Sequence, residues 1–146
     1  MATLNAPGLT TPIRAGITGD VNQVSGVFTA PTGNAAIGSI LNMCKVPPHS
    51  RIVGMEVTGS NNTASLTFKA GYADVDGDAA FTDDDALVVA ATSLATAATR
   101  ARMNNPAFPF VDVTKESYIT ITTAGAALVA GTSITVVVLY AFRGHP

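Results

Sequence analysis

The chain has 146 residues, enough for one domain with a real core. Only 12% of them are charged, against roughly 25% in an average soluble domain, and with no basic run and no basic residues interleaved with aromatics a nucleic-acid surface finds little support. One cysteine excludes an internal disulfide and a cysteine-rich metal site.

Residues 1–20 hold Pro7, Gly8, Pro12, Gly16 and Gly19 among Thr and Asn, little of which could support a helix. The expectation is an extended N-terminal arm that orders against a neighbour, with a disordered tail as the plain alternative. Residues 21–146 then form a single domain. Val21–Thr29 is a weak strand, Ala30-Pro31-Thr32-Gly33-Asn34 a turn, and Ala35–Val46 a better strand with Ile37, Ile40, Leu41 and Met43. Pro47-Pro48 breaks it, since neither proline can donate to a sheet ladder.

Arg51–Tyr72 reads as two strands around Gly59-Ser60-Asn61-Asn62-Thr63. Val53, Met55 and Val57 share one face, and so do Leu66, Phe68, Ala70 and Tyr72. Turn residues between two such runs predict a β-hairpin. A long acidic loop follows, from Ala73 to Asp85. Ala86–Met103 is Ala-rich but interrupted by Val and Thr, and is expected to form one short helix or an ordered excursion, with Arg100 and Arg102 suited to a helix C-terminus. Asn104-Asn105-Pro106-Ala107-Phe108-Pro109-Phe110 is a turn into Val111-Asp112-Val113. Ser117–Thr123 alternates.

Thr132–Phe142 is the strongest strand. Ile134, Val136, Val138, Tyr140 and Phe142 lie on one face, Thr135, Val137, Leu139 and Ala141 on the other, and both faces are largely apolar. One face of an antiparallel sheet normally meets water. This strand is therefore central in a sandwich or lies under a subunit contact. Seven or eight strands with at most one short helix predict an all-β sandwich of the jelly-roll kind.

Six of the ten acids (Asp74, Asp76, Asp78, Asp83, Asp84, Asp85) sit in the acidic loop, leaving four acids against eight bases elsewhere. Asp74, Asp76 and Asp78, with Asp85 at position 12, have the spacing of a calcium loop, but Ala79 stands where Gly is required and Asp85 where a longer Glu closes the site. A solvated acidic loop is the favoured reading; no other metal and no cofactor is expected. His49 and His145 have no ligand-spaced partner. No nucleophile turn, phosphate-cradling loop or metalloprotease helix occurs, so an enzyme is not expected. Cys44, within a strand-like run, reads as a buried inert thiol. Ile134–Phe142 is about half the roughly 20 residues of a membrane helix. Met1-Ala2-Thr3-Leu4-Asn5 has neither the basic start nor the apolar core of a secretory leader, which points to synthesis in a cytoplasm.

The order of segments is itself informative. Pro-Pro-His-Ser-Arg-Ile-Val (47–53) enters a strand, Ala-Ser-Leu-Thr-Phe-Lys-Ala-Gly-Tyr-Ala-Asp (64–74) follows, and then come the Asp/Gly/Ala loop and an Ala-Thr-Ser-Leu stretch. Tyr-Ile-Thr-Ile-Thr-Thr-Ala-Gly (118–125) and Gly-Thr-Ser-Ile-Thr-Val-Val-Val-Leu-Tyr (131–140) complete the set. Over residues 35–143 this resembles small structural proteins of tailed bacteriophages, in particular capsid decoration (cement) proteins with a jelly-roll-like fold. The resemblance implies a homodimer or homotrimer on the outside of the virion capsid, clamping neighbouring copies of the major capsid protein, with no catalytic residue to carry over. The residues suited to such contacts are Leu4, Pro7, Leu9, Pro12, Ile13 and Arg14 of the arm, and Val137 and Leu139 on the second face of the last strand. A tail, fibre-base or head-completion protein would look much the same. A carbohydrate-binding sandwich is less favoured, because Trp is absent and Tyr72, Tyr118 and Tyr140 fall in strand patterns that suggest core.

Overall fold

The computed structural model describes residues 2–7, 9, 20–31, 36–60, 65–78, 82–93 and 100–143. Among the described residues there is no helix, and ten strands form: β1 (Thr3–Asn5), β2 (Val21–Thr29), β3 (Ile40–Val46), β4 (Ser50–Ser60), β5 (Thr67–Asp74), β6 (Asp83–Ser93), β7 (Arg100–Arg102), β8 (Val111–Val113), β9 (Ser117–Ala124) and β10 (Ser133–Phe142). Sheet A runs β1–β3–β9–β5–β6. Sheet B runs β2–β10–β4–β7, with β8 also paired to β4. Leaving out β1 and β8, the two four-stranded orders are those of a jelly roll, in which most connections cross from one sheet to the other. The β-sandwich expected from the sequence is the fold.

The period of two explains the core. On β10, Ile134, Val136, Val138 and Tyr140 point inward. They join Ile52, Met55 and Val57 of β4, Leu41 and Met43 of β3, Phe68 of β5, and Ile119 and Ile121 of β9 in one apolar cluster. Cys44 belongs to it, and burial pushes its thiol pKa up to about 12, so the group stays protonated and inert at neutral pH.

Four expectations are corrected. The 51–72 segment is not a hairpin: β4 pairs with β10, β7 and β8 in sheet B, whereas β5 pairs with β9 and β6 in sheet A. Turn residues show that the chain turns, not that the flanking strands pair. Their apolar faces meet across the core instead. Val53 is not a core residue. The β4–β10 register slips there, Tyr140 facing Ile52 and Leu139 facing Gly54, so the bulge turns Val53 outward with 42% of its surface exposed. The Ala-rich segment is no helix: β6 and β7 occupy its described parts, with Ala86, Leu87 and Val88 buried, and core burial outweighs the helix preference of Ala. Asp83, Asp84 and Asp85 belong to β6 rather than to the preceding loop.

The start of the N-terminal segment is built into sheet A. Thr3–Asn5 runs parallel to Ile40–Asn42, the Ala6 N–H donates to the Asn42 carbonyl at 2.9 Å, and Ala6 is buried.

Candidate docking face

The outward side of sheet B is the most distinctive surface. Register places its rows side by side. One row is Val27, Thr135 and Thr58; the next is Ser25, Val137, Glu56 and Arg102; then come Gln23, Leu139 and Gly54, and last Val21, Ala141 and Arg51. Val21, Val27, Val53 and Leu139 are exposed here. The face is apolar because β10, the central strand, carries aliphatic residues on both sides.

The segment after β7 turns part of this face into a groove. Gln23, Val53, Gly54, Glu56, Val137 and Leu139 are on its floor side, and residues 102–106, Phe108 and Pro109 form the opposite wall, enclosing about 770 Å³. Hydrogen bonds hold the wall in place. The Met103 N–H donates to the Met55 carbonyl (3.0 Å), and the Asn104 N–H to the Leu87 carbonyl (3.1 Å). The Asn104 Oδ1 accepts from the Val89 N–H (3.0 Å), and the Asn105 Nδ2 donates to the Asp85 carbonyl (2.8 Å). Asn105 also accepts from the Ala107 N–H, an Asx turn that directs the chain through Pro106.

The charges near the groove are paired. Glu56 meets Arg100 at 3.1 Å and Arg102 at 3.5 Å. At the lower rim Arg51 donates two bonds to Asp112 (2.7 and 2.8 Å), lies 4.0 Å from the Phe110 ring centroid, and shares Asp112 with Arg143 at 3.3 Å. This clasp ties β8 to β4. Among the described residues the groove lining is aliphatic, aromatic, amide and proline side chains, with Glu56 and Arg102 its charged members. Its chemistry suits apolar docking with a polar rim.

The clasp makes stability depend on pH. The hydrogen bonds from Arg51, and the charge of Arg143 behind them, hold the Asp112 carboxyl below the usual carboxylate range. A carboxylate lowered on folding stabilises the native chain above its unfolded pKa of about 4, and the contribution is lost as pH falls through the folded value. Thermal melts below about pH 4 should therefore show a step in the wild type that Asp112→Asn lacks. The step is small, because the pair is solvent-exposed, and it shrinks further in high salt.

The other sequence-predicted residues fall as follows. Val137 and Leu139 lie together in the groove. Leu4 packs against its own core, Pro7 is exposed and Leu9 half-buried. Pro12, Ile13 and Arg14 lie outside the described residues, as do Ala79 and His145. In the acidic loop, Lys115 reaches Asp74 (3.4 Å) and Asp78 (3.1 Å), and Asp74 also accepts from the Asp76 N–H. Lys115 thus pairs with two of the loop carboxylates, while Asp85 has its backbone bonded to Asp83 and Asn105. Among the described residues no three acids or histidines converge on a metal-sized site. Sequence reasoning missed Val53, Phe108 and Phe110. The signal was present for the first: an isolated glycine inside a strand, Gly54, marks a bulge.

No family model matches the sequence, and no curated protein matches it. Solved structures do. A chain of the capsid of Ralstonia phage GP4 superposes with a TM-score of 0.77 at 17% identity, over 98% of this chain and 99% of that one. A chain of the cyanophage Pam1 capsid gives 0.62 at 19% identity, over 90% and 91%. A chain of the acid-stable capsid of Helicobacter pylori bacteriophage KHP30 gives 0.60 at 12%, over 88% and 92%. At these identities the likeness is one of fold.

Proposed function

We propose that this chain is a structural protein of a phage virion, which binds the outer surface of the capsid through the outward face of sheet B and clamps neighbouring copies of the major capsid protein. The observation that carries the proposal is that face: a groove of about 770 Å³ on an apolar sheet, walled by a hydrogen-bonded loop. The fold likeness to capsid chains over nearly the whole of both partners supports it. Burial of aliphatic surface drives such docking at roughly 25 cal/mol per Å², before association costs. A symmetric lattice multiplies modest contacts through effective concentration, and a homo-oligomer multiplies them again.

Co-sedimentation tests the proposal. Purified protein is mixed with expanded shells of its own phage that lack it, and bound copies per capsid subunit are counted. The expected result is saturable binding at a fixed ratio. Shells that pellet without it would move the protein to the tail or the head–tail junction.

A further inference from the structure

A sheet edge displays unpaired backbone N–H and C=O groups and invites another strand, and proteins guard edges by shortness, charge, proline or bulges. Three strands at the margins of this sandwich are guarded. β1 has three residues, and β7 has three residues with two arginines. β6 opens with Asp83, Asp84 and Asp85, and its register against β5 is broken twice. β2 is guarded by none of these devices. It is nine residues long, Val-Asn-Gln-Val-Ser-Gly-Val-Phe-Thr, with no charge and no proline, and it pairs with β10 in unbroken register. Among the described residues no strand pairs with its other side. It is also rigidly held. A Cβ at Gly26 would run into the Met43 carbonyl oxygen, so β2 lies tight against sheet A and offers a preformed template.

We propose that β2 is a self-association edge: it pairs antiparallel with β2 of a second copy, about a two-fold axis passing beside Ser25. The strand is self-complementary in this register. Val21 lies opposite Thr29, Gln23 opposite Val27, and Ser25 opposite its own copy, all on the outward face, with no like charges brought together. The inward residues match too, Val24 facing Gly26. A two-fold perpendicular to the sheet joins both copies of sheet B into one continuous sheet and leaves both docking faces on the same side. Two grooves then address one surface, which no pairing across the sandwich would achieve. The proposal concerns the free protein and stands or falls without any capsid.

Sedimentation equilibrium of the full chain tests it. The wild type should weigh twice 14.8 kDa. Ser25→Lys, at an exposed position, should halve the mass while keeping the circular dichroism spectrum, because two ammonium groups would meet at the axis, and its melting temperature should no longer rise with protein concentration. In the proposed register the two Ser25 Cα atoms lie about 4.5–5.5 Å apart, within disulfide range. Ser25→Cys should therefore link into a covalent dimer under mild oxidation, and the wild type, with Cys44 buried, should not. A wild-type mass other than the dimer's, a dimer untouched by Ser25→Lys, or a Ser25→Cys protein that stays unlinked would each overturn the pairing.

Discussion

Val53→Glu combined with Leu139→Glu is expected to reduce shell binding at least about 100-fold per copy while the domain stays folded. Both side chains are some 40% exposed, on neighbouring strands of one outward face. Completing the burial of each on docking contributes about 1 kcal/mol, a fraction of the roughly 1.5–3 kcal/mol for a whole aliphatic side chain. The larger effect is the carboxylates. Left without partners in a closed contact, each costs about 1–3 kcal/mol or more in lost hydration. The sum exceeds the roughly 2.8 kcal/mol that two decades of affinity require. In the free protein the same carboxylates face water. The cost there is limited to the poor strand preference of Glu, about 1 kcal/mol or less at each site, so the melting temperature should drop by only a few degrees. Ile37→Glu is the control: Ile37 is 57% exposed, in a turn before β3 and away from sheet B, and its substitution should leave binding intact. Equal loss in the double variant and the control would show that the face is not the contact.

The residues that declared themselves in the sequence were those whose partners obey simple alternation. Ile134 to Tyr140 showed both the core face and the aliphatic outer face of β10, which is why Val137 and Leu139 stood out before any geometry was known. Ser117–Thr123 was legible for the same reason, whereas Val21–Thr29 read only as a weak strand because its valines, at 21, 24 and 27, do not alternate. Pairing partners were not legible. A jelly roll sends successive strands to different sheets, so adjacency in the chain misled at β4 and β5. β1 escaped notice because three residues carry no period, and its order comes from hydrogen bonds to Ile40–Asn42 far along the chain. The groove was equally hidden. Its wall depends on Asn104 and Asn105 reaching back to the backbone of Asp85, Leu87 and Val89, contacts that span 15 to 20 residues and leave no local pattern.

Gly71→Ala should lower stability by about 3 kcal/mol, in the range of severe overpacking, and so lower the melting temperature by roughly 6–12 °C. The reason lies in the register of β5 against β6. Tyr72 faces Asp83 and Ala70 faces Val88, so residues 84–87 have only Gly71 opposite them. That wide bulge runs its backbone directly over Gly71. A Cβ there would penetrate the Asp83 carbonyl oxygen and come within 2.7 Å of the Asp84 carbonyl carbon. Both are main-chain atoms, and no rotamer change relieves the clash; β6 must lift away. Lifting it breaks the 3.0 Å pair between Lys69 and Asp84 and exposes Ala86 and Leu87, which are fully buried. It also pulls on the Asp85 and Leu87 carbonyls that hold Asn105 and Asn104, so strain at sheet A reaches the groove wall on sheet B. Hydrogen exchange should therefore accelerate at the amides of residues 83–89 and at Met103 and Asn104 together, with the rest of the sandwich protected. Gly54→Ala provides the contrast, since its Cβ would rest 3.7 Å from Leu139 Cδ1, an ordinary contact, and should change stability by no more than about 0.5 kcal/mol. Exchange that rises in β6 but not at Met103 and Asn104 would show that the wall stands independently of the bulge.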